Sequence, residues 1–288
     1  MNELKGLGTA LITPFKADGS VDYEALARLL DTQLTGFVDY IVVLGTTGEA
    51  ATMTDKERAE VRSFVRSYVN GRLPLVLGLG GNCTAAVCEA LRNTDLSGFC
   101  AILSVCPYYN KPNQEGLYQH FCAIAEASPI PVILYNVPGR TGVNLLPETV
   151  MRIYNARPDK IAGIKEASGN VEQIKDLICR KSKVESQKQF LVISGDDGIA
   201  CELMEAGAAG LISVASNAFP EDFWHIVHDK DAALQAKYAD MIRLLFAEGN
   251  PVGIKAVLAQ KGIIENQLRL PLVPASEQLQ EQIRQSGL

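Results

Sequence analysis

Ile161-Ala162-Gly163-Ile164-Lys165-Glu166-Ala167 is an apolar run of strand length with a lysine set inside it. Runs of the same character recur on both sides: Leu7–Phe15, Tyr40–Gly45, Leu73–Gly80, Phe99–Pro107, Pro131–Val137, Phe190–Gly195 and Gly210–Ala215. Eight runs repeat at a mean spacing of about 29 residues, the length of one strand plus a crossover helix. The stretches between them carry helix signals. Thr54-Asp55-Lys56-Glu57 reads as a capping box, and Pro147 followed by Glu148 opens another helix. Eight such units predict an α/β chain folded as a closed parallel (β/α)8 barrel, a TIM barrel. A doubly wound open sheet is the alternative. For dinucleotide binding it needs a glycine fingerprint after its first strand, whereas Gly78-Leu79-Gly80-Gly81 follows the third and has Cys83 where the last glycine belongs.

The units run out near residue 230, and the rest of the chain is helical in pattern. Leu234, Tyr238, Met241 and Leu245 form one stripe, closed by Gly249 and Pro251, and two further helices are predicted over Val252–Gly262 and Ser276–Gln285. The expected organisation is a barrel over residues 1–229 and a C-terminal helical domain over 230–288, its stripe packed on the barrel.

The chain has 288 residues, with 47% hydrophobic and 21% charged, the balance of a globular protein with a substantial core. Its net charge is −6, without a basic block, which argues against nucleic acid as a partner. The apolar runs are far shorter than the roughly 20 residues of a membrane-crossing helix. Residues Met1 to Pro14 lack the charged leader and long apolar stretch of a signal peptide, so a cytoplasmic location away from membranes is expected. The seven cysteines are odd in number and form no CxxC, and they read as reduced, buried, small hydrophobic residues. With only His120, His225 and His228 scattered among them, no metal site is expected.

In such a barrel the chemistry lies at the C-terminal ends of the strands. Alternation puts Lys165 on the face of Ile161 and Gly163, and Glu166 on the opposite face. Lysine is almost never fully buried without a reason, and an amine taken out of water favours its neutral, imine-forming state. A buried pair with Glu166 is the competing reading, which the alternation opposes. Gly45-Thr46-Thr47-Gly48-Glu49 is either a small nest for a carboxylate or a plain turn. Tyr108 and Tyr109, in a stiff loop between prolines, are core filling or a proton relay. Arg140, after Pro138-Gly139, is placed for bidentate capture of a carboxylate or for a surface salt bridge. Asp196 and Asp197 read as caps of the following helix rather than metal ligands. Together an imine-forming amine, phenols, a hydroxyl pair and an arginine suit carbon–carbon bond chemistry on a 2-oxo acid.

Four motifs, Gly45-Thr46-Thr47-Gly48-Glu49, Tyr108-Tyr109-Asn110-Lys111-Pro112, Tyr135-Asn136-Val137-Pro138-Gly139-Arg140-Thr141-Gly142 and Gly163-Ile164-Lys165-Glu166-Ala167-Ser168-Gly169, stand in order and in register. With Asn250-Pro251 and Arg269-Leu270-Pro271 they resemble the dihydrodipicolinate synthase family over essentially the whole chain. That family belongs, with N-acetylneuraminate lyase, to the pyruvate-dependent class I aldolases. The resemblance implies a Schiff base between Lys165 and pyruvate, Tyr135 as general acid and base, and Thr46 with Tyr109 completing the relay. Tyr109 would reach in from a neighbouring subunit. Thr47, Gly195 and the Ile212 main chain would hold pyruvate, and Arg140 the carboxylate of L-aspartate 4-semialdehyde. It further implies lysine and diaminopimelate biosynthesis, a homotetramer built as a dimer of dimers, and no metal or organic cofactor. Asp55, Arg58 and Ala86 depart from the lysine-sensitive pattern that Asn82 and Tyr108 still match, which implies weak or absent inhibition by lysine. The competing expectations are N-acetylneuraminate lyase, a 2-keto-3-deoxy sugar-acid aldolase and, outside the enzymes, a non-catalytic 2-oxo acid sensor.

Overall fold

A computed structural model describes residues 2–182 and 190–287. Eight strands, β1 (Gly6–Ala10), β2 (Tyr40–Val43), β3 (Leu75–Gly78), β4 (Ala101–Val105), β5 (Val132–Asn136), β6 (Ile161–Glu166), β7 (Leu191–Ser194) and β8 (Gly210–Ser213), close into a barrel in chain order. Every pairing is parallel, including the closing pair β1–β8. Each strand is shorter than the run predicted for it, and all but β1, which begins one residue earlier at Gly6, lie inside that run. The surplus residues remain apolar but form the turns at the strand ends.

The helices between and after the strands are α1 (Tyr23–Gln33), α2 (Asp55–Val69), α3 (Thr84–Asn93), α4 (Gln114–Ala127), the short α5 (Pro138–Thr141), α6 (Pro147–Ala156), α7 (Val171–Ser182), α8 (Ala200–Ala206) and α9 (Pro220–His228). The helix signals act as expected. Glu57 donates its amide to Thr54 Oγ1 at 3.2 Å while its carboxylate accepts from the Thr54 amide at 2.9 Å, a complete capping box on α2. Pro147 occupies the first turn of α6.

Parallel strands buried on both faces sort their residues by alternation. Tyr40, Val42, Ile133, Tyr135, Leu191 and Ile193 fill the barrel interior, while Ile41, Val43, Val132, Leu134 and Val192 pack beneath the helices. β6 breaks the rule. Ile161 pairs with Val132, but Gly163 pairs with Ile133, so Ala162 is an extra residue at a shift of register. Ile161 therefore lies under the helices and Ala162 faces the interior, which corrects the expectation that Ile161 shares the face of Lys165. A Cβ at Gly163 would stand 2.2 Å from the Leu191 carbonyl oxygen, so glycine is what lets β7 approach here.

Beyond residue 230 the chain continues as α10 (Ala232–Lys237), α11 (Ala239–Phe246), α12 (Val252–Gln260) and α13 (Glu277–Gln285). The predicted stripe is split at Tyr238, which caps the end of α10, yet Tyr238, Met241 and Leu245 all join the core of the barrel helices. The Tyr238 ring meets Phe219 and Phe223 edge-on, with centroids 5.1 and 5.4 Å away. Of the cysteines, Cys88, Cys106 and Cys201 are buried, whereas Cys83 and Cys179 are exposed, and all seven are free thiols. Burial was therefore expected for too many of them. No described helix is long and apolar enough to cross a membrane.

Candidate active site

Lys165 and Tyr135 are paired neighbours on adjacent strands and both point into the barrel. Each is 6% exposed, and the Lys165 Nζ stands 4.5 Å from the centre of the Tyr135 ring. Glu166 turns to the opposite face, where Asn136, Ser168 and Gln173 donate to it. Among the described residues no carboxylate pairs with Lys165.

β7 supplies the floor beside this amine. The Gly195 amide donates to the Glu166 carbonyl at 2.8 Å. A Cβ on Gly195 would lie 2.7 Å from the Ala167 Cβ and 2.8 Å from the Lys165 Cε. Gly195→Ala is accordingly expected to fold, to displace the lysine and, with Lys165 as the nucleophile expected from the sequence, to lower turnover about ten- to a hundredfold, the usual consequence of moving such a group by an ångström. Steady-state kinetics beside a melting curve checks this, and a variant with wild-type turnover would contradict it. Ile212 on β8 completes the wall and is buried in the same interior cluster as Tyr135 and Ile193.

The β2 loop closes the other side. Thr46–Gly48 form a single 3-10 turn, with Thr47 buried and Thr46 half-buried. The Gly48 carbonyl accepts from Thr13 Oγ1 at 2.8 Å. Glu49 follows in the left-handed region at φ 53° and sends its carboxylate into the protein. It is ion-paired there with Lys255 of α12, both side chains fully buried, and it also accepts from the Arg269 amide at 3.3 Å. Burial pulls the Lys255 ammonium down to about 8, against the opposing pull of Glu49. Arg269 itself pairs with Glu57, whose carboxyl its hydrogen bonds hold at about 2.

Arg140 lies in α5, exposed at the barrel mouth, and its guanidinium donates to the Asn250 carbonyl at 3.1 Å. It enters no ion pair among the described residues, which leaves its remaining donors for a ligand. Asn250 was named in the sequence only as part of a tail motif, but its side-chain amide also donates to Thr47 Oγ1 at 2.9 Å. One buried residue of the helical extension thus joins the hydroxyl loop to the arginine, across a sequence separation that no local pattern reveals.

Tyr109 is not drawn into this cluster. Its side chain is 89% exposed, and its backbone sits in the left-handed region at φ 74°. Such a conformation is uncommon for a bulky residue and holds the phenol away from its own chain. Tyr108, half in solvent, accepts from Asn82 Nδ2 through its carbonyl. Asp196 caps as expected, accepting from the Gly198 amide at 2.8 Å. Asp197 does not. It is buried, accepts from the Val214 amide at 3.1 Å, and braces the turn that follows β8. Burial raises its carboxyl to about 6.

The arrangement brings together a buried amine, a phenol packed against it, two hydroxyls on one turn and a guanidinium that enters no ion pair among the described residues. It can condense with a keto group, hold a carboxylate on each side, and pass protons between oxygens.

Residues 3–286 match the model of the dihydrodipicolinate synthetase family. A 4-hydroxy-tetrahydrodipicolinate synthase of Parabacteroides distasonis is 51% identical over 290 residues, covering 98% of this chain and 95% of the relative. The crystal structure of dihydrodipicolinate synthase from Thermotoga maritima superposes with a TM-score of 0.93 at 40% identity, covering 98% of this chain and 97% of that one. The chloride-inhibited synthase of Acinetobacter baumannii, solved in complex with pyruvate, gives a TM-score of 0.92 at 40% identity with the same coverage.

Proposed function

Because the chain belongs to the dihydrodipicolinate synthetase family, we propose that its barrel mouth carries out the 4-hydroxy-tetrahydrodipicolinate synthase reaction, condensing pyruvate with L-aspartate 4-semialdehyde in lysine and diaminopimelate biosynthesis. The protein is a lyase of the Schiff-base-forming, class I aldolase type. The observation that carries the assignment of residues is the inward-facing Lys165, its Nζ 4.5 Å from the Tyr135 ring centre.

The Lys165 amine adds to C2 of pyruvate, and loss of water gives the imine. The protonated imine is an electron sink, so a proton leaves the methyl group and an enamine forms. The enamine carbon attacks the aldehyde carbon of the semialdehyde, whose oxygen takes up a proton. The substrate's own amino group then displaces Lys165 from the imine carbon, closing the ring and restoring the free amine. Tyr135 moves the protons, with Thr46 and Tyr109 passing them on, and general acid–base help of this kind is worth about 10²–10⁴-fold. Thr47 holds the carboxylate of pyruvate beside Gly195 and the Ile212 main chain, and Arg140 holds that of the semialdehyde. No metal or organic cofactor takes part.

A strained backbone that presents a solvent-exposed phenol supports a role for Tyr109 in a neighbouring subunit, in a homotetramer built as a dimer of dimers in the cytoplasm. Borohydride reduction with pyruvate is expected to leave a reduced pyruvyl group on Lys165. Turnover is expected with aspartate semialdehyde and not with sialic acid. A wild-type protein that gains no covalent mass, as a reversible sensor would, overturns the reading.

At the start of α2, Asp55 and Arg58 pair with each other, and Arg58 also donates to the Ala50 and Met53 carbonyls. Both side chains are thereby committed, and Ala86 offers no carboxylate to an ammonium group. Free lysine is expected to inhibit weakly or not at all, and a sub-millimolar inhibition constant at saturating pyruvate would contradict this.

A further inference from the structure

Behind the Tyr135–Lys165 pair, on the far face of the same two strands, lies a buried polar network that the reaction does not use. Asn136 and Glu166 are the next residues along β5 and β6, paired in register and both fully buried. Asn136 Nδ2 donates to the Glu166 carboxylate at 2.9 and 3.2 Å and to Asn144 Oδ1 at 2.7 Å. The Ser168 amide donates to Glu166 Oε1 at 2.8 Å, and Gln173 Nε2 of α7 donates to Oε2 at 3.0 Å. Asn144 and Gln173 bond reciprocally at 2.8 and 3.1 Å. The Leu145 amide donates to Asn136 Oδ1 at 2.9 Å.

Asn136, Ser168 and Gln173 all present donors to Glu166, so only an acceptor-only carboxylate satisfies all of them. Burial raises its carboxyl, and these donors pull the other way. The network spans β5, the turn after β6, α7 and residues 144–145, which end the loop carrying Arg140. A half-satisfied version of it would cost more than an apolar core at the same place, so its completeness demands one relative placement of these segments.

We propose that Glu166 is a positioning residue: with Asn136, Asn144 and Gln173 it fixes the relative height of Tyr135 and Lys165 and the return of the loop bearing Arg140. The proposal rests on the roles given above to Lys165 and Tyr135.

Glu166→Gln sets a donor against donors. It is expected to lower kcat, and the rate at which the borohydride-trapped adduct forms, by about ten- to a hundredfold. KM for pyruvate should change little, because Thr47, in the turn that follows β2, and Ile212, on β8, lie outside the network. The double variant Asn136→Asp/Glu166→Gln reverses the polarity. The new amide at 166 donates to the new carboxylate at 136, and the reciprocal Asn144–Gln173 pair turns over as a unit to keep every group matched. It is expected to recover most of the lost rate. Ile226→Ala, a buried apolar truncation on α9, should lower the melting temperature without lowering kcat.

Should Glu166→Gln fail to fold, the double variant and Gln173→Ala, at the edge of the network, decide, the latter with a several-fold loss in kcat. Wild-type kcat in Glu166→Gln, or in Gln173→Ala where the single variant does not fold, overturns the proposal. So does a double variant no faster than the single one, or one that itself fails to fold. Wild-type protein that forms no adduct with pyruvate would refute the role of Lys165 instead, and the two failures are thereby told apart.

Discussion

Replacing Lys165 with arginine is expected to abolish the borohydride-trapped adduct and to lower turnover by at least about three orders of magnitude, with the fold intact. The guanidinium places a fixed positive charge against the Tyr135 ring, where the Lys165 Nζ now sits 4.5 Å from the centroid. It stays protonated and is no nucleophile toward a ketone. The variant therefore separates the two things a lysine could supply here. If the positive charge alone mattered, as in a site that merely senses a 2-oxo acid, arginine would preserve function. If the amine forms a bond, it will not. Lys165→Ala should show the same loss. It should cost little stability, since it removes a buried amine that no carboxylate among the described residues pairs with. Intact-mass measurement after reduction and a coupled assay, beside circular dichroism, check both variants. Arginine at 165 with a tenth or more of the activity would sink the covalent mechanism, by the same arithmetic that equates about 1.4 kcal/mol with tenfold.

The signal that singled out Lys165 was a charge inside an apolar run, and it also shows where sequence reading stops. Val252-Gly253-Ile254-Lys255-Ala256-Val257-Leu258 carries the same signal. Lys255 is more deeply buried than Lys165, but it is neutralised by Glu49, 206 residues away. Nothing local separates an amine left for chemistry from one that staples two segments. The difference came from the other motifs that arrive with Lys165, and for Lys255 there were none.

The barrel was legible because parallel strands buried on both faces keep continuous apolar runs. Their ends were not, because residues such as Leu11 and Ile12 stay buried after β1 has ended. The register shift at Ala162 was invisible to alternation, since a glycine in a strand reads equally as a gap. The roles of Asn250 and Asp197 were hidden for a third reason. A side-chain amide that bridges two loops, or a carboxylate that braces a distant turn, leaves no periodic trace in its own neighbourhood.

Lys255→Met is expected to destabilise the protein by about 3–5 kcal/mol, the usual result of stranding one member of a buried ion pair. Lys255 Nζ also donates to the Gln267 carbonyl at 3.0 Å and lies 4.2 Å from the centre of the Phe15 ring, so the loss is not of the pair alone. The Glu49 carboxylate would remain fully buried, with the Arg269 amide as its residual partner. Lys255→Met/Glu49→Gln should recover much of the stability, because the neutral amide still accepts from that backbone N–H and leaves no charge behind. Gln is preferred to a branched residue at 49, where the backbone is left-handed. Denaturant titrations of the four proteins in the cycle give the coupling directly, and additive single effects would contradict it. The activity should follow a different order. Glu49 directly follows Gly45-Thr46-Thr47-Gly48, and Thr47 is held from the other side by Asn250 only two residues before α12 begins. Loosening α12 therefore releases the hydroxyl loop from two directions, and KM for pyruvate should rise in Lys255→Met even where the protein is fully folded. In the double variant the loop regains a neutral anchor and KM should fall back. The buried pair would then be a link between the helical extension and the barrel mouth, through which the C-terminal segment fixes Thr46 and Thr47.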